Sequence, residues 1–265
     1  QVDIAMLGRD AFQETDILDV TMPVTKHNYK IKNAADLVPT IREAFALARS
    51  GRPGPVLIDV PRNLFFEEVA YTAQKLVEHQ PGKPDADFII CAAEAAAEIV
   101  NAERPLVIVG GGVISAGASA ETVAFIEKYQ LPVVHTLMGM GAVPSTHPQM
   151  LGFIGMHGAK AANYAVGAAD LVIALGSRFA DRLTGNLSKF TANRRFIHID
   201  IDPAEIDKIV GSSIGLAGDM RVVLNLLMRK EPKRDHTAWW QQIHTWQEEF
   251  EDDYHVNSLT VPWAL

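Results

Sequence analysis

Between residues 105 and 201 the chain alternates short, mostly apolar runs with longer stretches of helical periodicity. Leu106–Val109, Leu131–His135, Leu171–Leu175 and Phe196–Ile201 have the length and composition of strands buried on both faces. The stretch 88–102 (Ala-rich) before the first strand, and 118–129 (Val123, Phe125, Ile126, Tyr129) and 159–169 between strands, read as helices. Strands alternating with helices predict an α/β fold with a parallel sheet covered on both faces. Three of these strands, or strand-like runs, end in glycine or charged turns: Phe-Ile-Gly-Met-His-Gly (153–158), Ala-Leu-Gly-Ser-Arg-Phe-Ala-Asp-Arg (174–182) and His-Ile-Asp-Ile-Asp (198–202). In an open parallel sheet such ends deliver backbone amides and polar side chains to a large, phosphate-bearing cofactor.

Upstream, Leu37, Ile41, Phe45 and Ala48 recur at helical spacing behind Asn33, which predicts a helix over 33–49 with Asn33 as its N-cap. Ser50-Gly51-Arg52-Pro53-Gly54-Pro55 breaks it, and Val56–Pro61 follows as a short buried strand. Residues 67–85, with Pro81 and Pro84, lose periodicity and read as a linker. The last periodic stretch is a helix over 237–250 carrying Trp239, Ile243, Trp246 and Phe250 on one side. The domain reading is therefore 1–66, linker 67–85, a central domain 86–230 and a helix with tail over 231–265.

A net charge of −8 argues against a nucleic-acid or membrane-surface partner, either of which calls for a basic face. No run reaches the ~18 apolar residues of a membrane span, and no signal peptide opens the chain. The lone Cys91 excludes an internal disulfide and suits a reducing, cytoplasmic setting; its Ala-rich neighbourhood predicts a buried small hydrophobe. The chain starts at Gln1 without an initiator Met and stops after Val261-Pro262-Trp263-Ala264-Leu265, so it reads as an internal piece of a larger protein.

Gly110-Gly111-Gly112-Val113-Ile114-Ser115 after a strand suggests a dinucleotide turn. Ser115 stands at the third glycine position, and the next strand lacks the acidic residue that holds a ribose, so a standard NAD site does not fit. A tight turn against another phosphate or ribose stays open. Arg178 and Arg182 flank Asp181 past a strand end, a pattern for phosphate or carboxylate recognition, with a surface ion-pair cluster as the plainer alternative. Asp200 and Asp202 fit ribose or adenine contacts better than a metal, for which further converging oxygens are missing; no metal site is read. His157 between glycines fits a backbone pressed against a ligand, while His27 fits a partly buried structural histidine.

Together these segments resemble the catalytic subunit of the acetolactate synthase (acetohydroxyacid synthase) family. The carriers are Gly8-Arg9-Asp10-Ala11-Phe12-Gln13-Glu14, Thr25-Lys26-His27-Asn28-Tyr29, Ser50–Val56, Gly155-Met156-His157-Gly158, Arg178–Gly185 and His198–Pro203. The resemblance implies the back part of a thiamine-pyrimidine-binding α/β domain. A central, doubly wound, Rossmann-like FAD-binding domain follows, and the final helix leads toward a pyrophosphate-binding domain. It implies decarboxylation of pyruvate on thiamine diphosphate and condensation with pyruvate or 2-oxobutyrate in branched-chain amino-acid synthesis. Alternatives are another FAD-containing carboligase, of the glyoxylate carboligase type, or an FAD-binding module without catalysis.

By the same resemblance Phe12 and Gln13 stand beside thiamine and substrate, Arg62 attracts a carboxylate, and Arg52 reaches FAD. FAD is lined by Gly111, Gly112, Thr136, Leu137, Met138, Gly155, Met156, His157, Gly158, Gly176, Ser177, Arg178, Asp181, Arg182, Asp200, Ile201, Gly218 and Asp219. Asp3, Ala5, Arg9 and Arg62 depart from the family pattern near the substrate channel and inhibitor site. The family's activating glutamate and its Mg²⁺–pyrophosphate motif fall outside residues 1–265, so the piece alone is expected to be inactive. Family partners are a second copy, as homodimer or homotetramer, and a regulatory small subunit.

Overall fold

In the computed structural model, residues 2–73 and 82–250 are described. The middle of the linker (74–81) and the tail 251–265, including Pro81, lie outside the described residues. The chain divides at Gly82/Lys83 into two compact units.

The first unit pairs two parallel strands, β1 (His27–Lys30) and β2 (Val56–Asp59), with His27 opposite Val56. A short helix α1 (Ile17–Thr21) precedes them, and α2 (Leu37–Arg49) connects them. Asn33 does not cap α2. It precedes a 3₁₀ turn (Ala34–Asp36), its side chain accepts no backbone bond, and its side-chain amide donates to Asp36 at 3.2 Å. The other end of α2 is closed by Lys26, whose Nζ lies 2.7 Å from Leu47 O and 2.6 Å from Ser50 O. A cation on the orphan carbonyls of a helix C-terminus is favourable on both hydrogen-bonding and dipole grounds. The unit's core is small, built on Ile31, Ala34 and Leu64, and Phe45, Phe65 and Phe66 are exposed. His27 is exposed rather than partly buried, its ring edge-on to Tyr29 at 4.5 Å.

The second unit is a six-stranded, all-parallel sheet of β3 (Pro105–Val109), β4 (Val133–His135), β5 (Met150–Phe153), β6 (Leu171–Leu175), β7 (Arg195–Asp200) and β8 (Ile214–Ala217). Its order is β5-β4-β3-β6-β7-β8. Counted within the unit this is 3-2-1-4-5-6, the doubly wound order whose direction reverses between β3 and β6. Alternate strand residues feed two cores. Val107, Val109, Leu171, Ile173, Leu175, Ile197 and Ile199 pack against α3 (Ala86–Asn101), then, past the short α4 (Gly111–Ser115), against α5 (Ser119–Tyr129). Leu106, Ile108, Val172, Ala174 and Phe196 face the other way, onto α6 (Lys160–Ala168). Past α7 (Asp181–Thr184), α8 (Leu187–Thr191) adds Phe190 to that second core.

Two further helices close the layers. On the first face lies α9 (Met220–Leu227). On the second lies α10 (Thr237–Glu249), which buries Trp239 and Ile243 beyond the boundary read at residue 230. Trp239 Nε1 donates to Pro105 O at 2.9 Å, fixing α10 at the amino end of β3. Cys91 is half-buried against the first core, with Sγ 3.9 Å from Gly215 O, and burial pushes its thiol pKa up. Among the described residues no helix is long and apolar enough to cross a membrane.

Candidate functional site

Strand register sets the site. Phe153, His135, Val109, Leu175 and Ile199 pair in one row across five strands, and Asp200 pairs with Ala217 on the sixth. Each strand therefore delivers its following turn to the same edge of the sheet. The turns after β3 (Gly111, Gly112), β4 (Thr136, Leu137, Met138), β5 (Gly155–Gly158), β6 (Gly176–Arg178, then Asp181 and Arg182), β7 (Asp200, Ile201) and β8 (Gly218, Asp219) all lie there. In doubly wound sheets the crevice at this edge, where strand order reverses, is where ligands bind.

At the reversal the turns after β3 and β6 touch. Gly112 N donates to Gly176 O at 3.1 Å, and Gly110 N to Leu175 O at 2.8 Å. A Cβ on Gly112 would stand 2.6 Å from Gly176 Cα. The glycines here are thus required by the chain's own backbone. The same holds for Gly155, at φ 104°, where a Cβ would meet Arg182 O at 2.5 Å. The glycines around His157 are correspondingly explained without a ligand, and His157 itself is exposed. Met156 N donates to Arg182 O at 3.0 Å, which ties the β5 turn to α7, and Gly158 N donates to Gly155 O at 3.0 Å within the turn itself.

Around the crevice the apolar side chains that a core would claim stand in the open. Leu137 is 65% exposed, Met138 72% and Met156 60%. Ile201 and Met140 are exposed as well; Met140 was not among the sequence candidates, though it sits two residues past Met138. Thr136 Oγ1 accepts from Gly139 N at 3.1 Å and so shapes the 3₁₀ turn that carries Leu137 and Met138. Ser177 is buried and its Oγ has no partner among the described residues. A buried hydroxyl without a partner is uncommon and marks a place where another polar group belongs.

The charged candidates separate by role. Arg178 is exposed and forms no ion pair among the described residues. Asp181 and Arg182 are exposed at 4.0 Å from one another, a long surface pair of little worth. Asp200 is buried, with Oδ1 accepting from Asp202 N at 3.0 Å. Asp202 in turn accepts from Ala204 N at 3.0 Å and caps a 3₁₀ turn. Asp219 caps α9, accepting from Arg221 N at 2.9 Å and Val222 N at 3.3 Å. Gly218 N donates to Asp200 O at 2.9 Å, and a Cβ there would meet the Phe88 ring. Among the described residues no three His, Cys, Asp or Glu side chains converge as metal ligands.

Two residues that sequence reasoning missed hold the β6 turn. His198 is buried, with Nε2 at 2.9 Å from Ser177 O, and Phe179 is buried at a left-handed φ of 52°. An aromatic at positive φ has no sequence signature.

The remaining candidates belong to the first unit. Phe12, 88% exposed, and Gln13, at φ 60°, sit on a turn fixed by Glu14, whose carboxylate accepts from Gly8 N at 2.6 Å and Ala11 N at 3.2 Å. Those amides hold the Glu14 carboxyl below its ordinary pKa. Arg62 is exposed beside residues 2–4, its backbone N donating to Val2 O at 3.3 Å. Among the described residues no hydrogen bond or ion pair joins it to Phe12 or Gln13. Arg52 is exposed in the turn between α2 and β2.

A cleft of about 590 Å³ lies at the opposite, amino edge, lined by Arg104, Lys189, Arg194, Trp239 and Gln242. Its arginines are committed to the chain. Arg194 reaches Val166 O at 2.6 Å and Gly167 O at 2.8 Å, and Arg104 reaches Ala168 O at 2.8 Å. They cap α6, so the cleft offers few free donors and the carboxyl edge is the stronger candidate.

The family model for the thiamine pyrophosphate enzyme central domain matches residues 92–227. A probable acetolactate synthase large subunit from Methanocaldococcus jannaschii is 44% identical over 99% of this chain and 44% of its own length. The acetolactate synthase large subunit of Parasynechococcus marenigrum is 41% identical over 100% of this chain and 43% of its own. The isozyme 3 large subunit of Escherichia coli is 39% identical over 93% and 45%. The chain thus spans less than half the length of these curated relatives.

Proposed function

This chain belongs to the thiamine pyrophosphate enzymes and carries their central domain, and from that membership we propose that it is part of an acetolactate synthase large subunit whose central domain binds FAD. The observation that carries the cofactor reading is the carboxyl edge itself. There an unpaired, exposed Arg178 and the unpartnered Ser177 hydroxyl stand beside exposed Leu137, Met138, Met156 and Ile201. Arginine suits a pyrophosphate, and the apolar side chains suit a flat ring system. Arg178, with Arg182, would hold phosphate oxygens, and the Asp200 carboxylate would accept from sugar hydroxyls. Gly111, lying against Met138, keeps the crevice open at the strand reversal.

The parent protein would decarboxylate pyruvate and condense the two-carbon unit with pyruvate or 2-oxobutyrate. Thiamine diphosphate, when bound, supplies the carbanion stabilisation. The residues of this chain bind and orient: Gln13 by hydrogen bonding to substrate, Phe12 by packing against it, Arg62 by attracting a carboxylate. Mg²⁺ would be held outside residues 1–265. A homodimer or homotetramer with a regulatory small subunit is the assembly this reading entails.

An absorption spectrum of the purified, desalted protein tests the cofactor. Oxidised-flavin bands are expected; a colourless protein that also fails to take up added FAD overturns that reading. Product analysis of the intact protein on pyruvate and on glyoxylate tests the reaction separately. Acetolactate from pyruvate is expected, and turnover of glyoxylate alone overturns it.

A further inference from the structure

Two left-handed residues, Gly176 at φ 58° and Phe179 at φ 52°, bracket Ser177 and Arg178 in the turn after β6. Phenylalanine does not adopt this backbone willingly, so the surroundings must hold it there. On the strand side Gly176 N donates to Ile199 O at 2.8 Å, which fixes where the turn starts. Where it ends is set by aromatic packing: the Phe179 ring stands edge-on to Phe196 at 5.8 Å and to His198 at 5.0 Å.

Among the described residues His198 makes the one polar link into the middle of the turn, with Nε2 2.9 Å from Ser177 O. A carbonyl only accepts, so Nε2 carries the proton and donates. Nδ1 then keeps its lone pair, buried and without a partner among the described residues. Burial lowers the ring's pKa, in keeping with a neutral imidazole. A buried ring nitrogen left unpaired is a cost, and an apolar residue of similar size would avoid it. What the histidine adds over such a residue is the grip on Ser177 O.

We propose that His198 is the positioning residue of this turn, its Nε2–H holding the Ser177 carbonyl and its ring backing Phe179, so that Arg178 and the Ser177 hydroxyl are presented to an incoming anionic cofactor. The proposal rests on the reading that the carboxyl edge binds FAD. His198 touches no cofactor atom in this scheme and acts through Ser177 and Arg178.

The test sets His198→Gln, which keeps an N–H donor near the Nε2 position, against His198→Leu, which keeps bulk and loses the donor. His198→Met serves as a second donor-free variant should the leucine fail to fold. In the intact protein, affinity for free FAD is read by flavin fluorescence and loop order by hydrogen–deuterium exchange over 176–180, with the unfolding midpoint alongside. The donor-free variant is expected to weaken FAD binding about tenfold and to speed exchange by a similar factor, the scale of one lost hydrogen bond in a buried turn. The glutamine variant is expected to stay within about threefold of wild type in both readouts, since its donor is retained. Unchanged affinity in the donor-free variant overturns the proposal, as does a glutamine variant that fails equally. Should wild type take up no FAD, the cofactor reading falls, and exchange alone decides. Faster exchange without the donor but not with glutamine upholds His198 as the anchor, and equal rates overturn it.

Discussion

Gly112 and Gly176 meet backbone to backbone where the sheet's strand order reverses, Gly112 N donating to Gly176 O at 3.1 Å. The approach is so close that a methyl group on Gly112 would stand 2.6 Å from Gly176 Cα. Backbone on both sides cannot swing away as a side chain can. Gly112→Ala is therefore expected to destabilise the second unit by about 1–3 kcal/mol, the range of core overpacking. Gly167→Ala, in α6 where a new Cβ meets nothing within 4 Å, is the contrast. It is expected to gain up to about 1 kcal/mol from helix propensity. Urea unfolding of both variants checks the pair, and equal midpoints would show that the glycine contact is slack.

Asp219 separates a structural from a ligand role. Its carboxylate accepts from the first free amides of α9 and lies 3.7 Å from Arg221 Nε. Loss of such a cap costs about 1 kcal/mol, so Asp219→Ala is expected to lower stability by that amount and Asp219→Ser to recover most of it. A cap role alone predicts that FAD affinity follows stability through both variants. Loss of affinity in Asp219→Ser at restored stability would instead place the carboxylate on the cofactor.

The strands that could be read from sequence are those the sheet buries on both faces. Leu106–Val109 and Leu171–Leu175 are apolar at every position because each packs into one core or the other. The strands that could not be read are the edges of the large sheet and the first strand of the small one. Met150–Phe153 carries Gly152 at φ 101° and a register shift against β4, Ile214–Ala217 contains Gly215, and His27–Lys30 is polar. The turn residues at the carboxyl edge were legible as glycine and charge after apolar runs. Their purpose was not, because a missing Cβ looks the same in sequence whether a ligand or the chain's own backbone fills the space. The Gly112–Gly176 contact shows the second case. Asn33 failed as a cap for a related reason: a 3₁₀ turn intervenes before α2, and no spacing rule reveals it.

Acid should loosen the second unit earlier than carboxylate chemistry alone would. His198 and His236 are both buried, and burial lowers each pKa below 6.5. The charges of Asp200, Asp207 and Glu205 around His198, and of Asp235 and Asp170 around His236, oppose the shift without cancelling it. A histidine that is harder to protonate when folded binds more protons unfolded, so stability is full above the unfolded pKa and falls as pH drops below it. Asp207 and Asp235 are shifted down from 3.8 and contribute only in more acid solution. The urea midpoint is thus expected to fall between about pH 7 and pH 5, and a His198→Gln, His236→Gln double variant to flatten that fall. An unchanged slope in the double variant would assign the transition to other groups.

Arg194 and Arg178 carry the same charge to opposite ends of the sheet, and their environments predict opposite phenotypes. The Arg194 guanidinium is held between Val166 O and Gly167 O and lies 5.6 Å from the Phe190 ring, closing the C-terminus of α6. Removing it leaves two helix carbonyls without a donor, so Arg194→Met is expected to cost about 1–3 kcal/mol. Arg178 stands exposed without an ion pair among the described residues, and Arg178→Met is expected to change stability by no more than about 0.5 kcal/mol. Its loss falls on the cofactor: FAD affinity is expected to drop about tenfold or more, since a charge-assisted bond to phosphate is at stake. Arg194→Met should leave affinity intact under conditions where the protein stays folded. Thermal unfolding and flavin titration on both variants decide it. If Arg178→Met binds FAD as wild type does, Arg178 is not the anion contact and its assigned role at the carboxyl edge falls, while FAD binding itself stands.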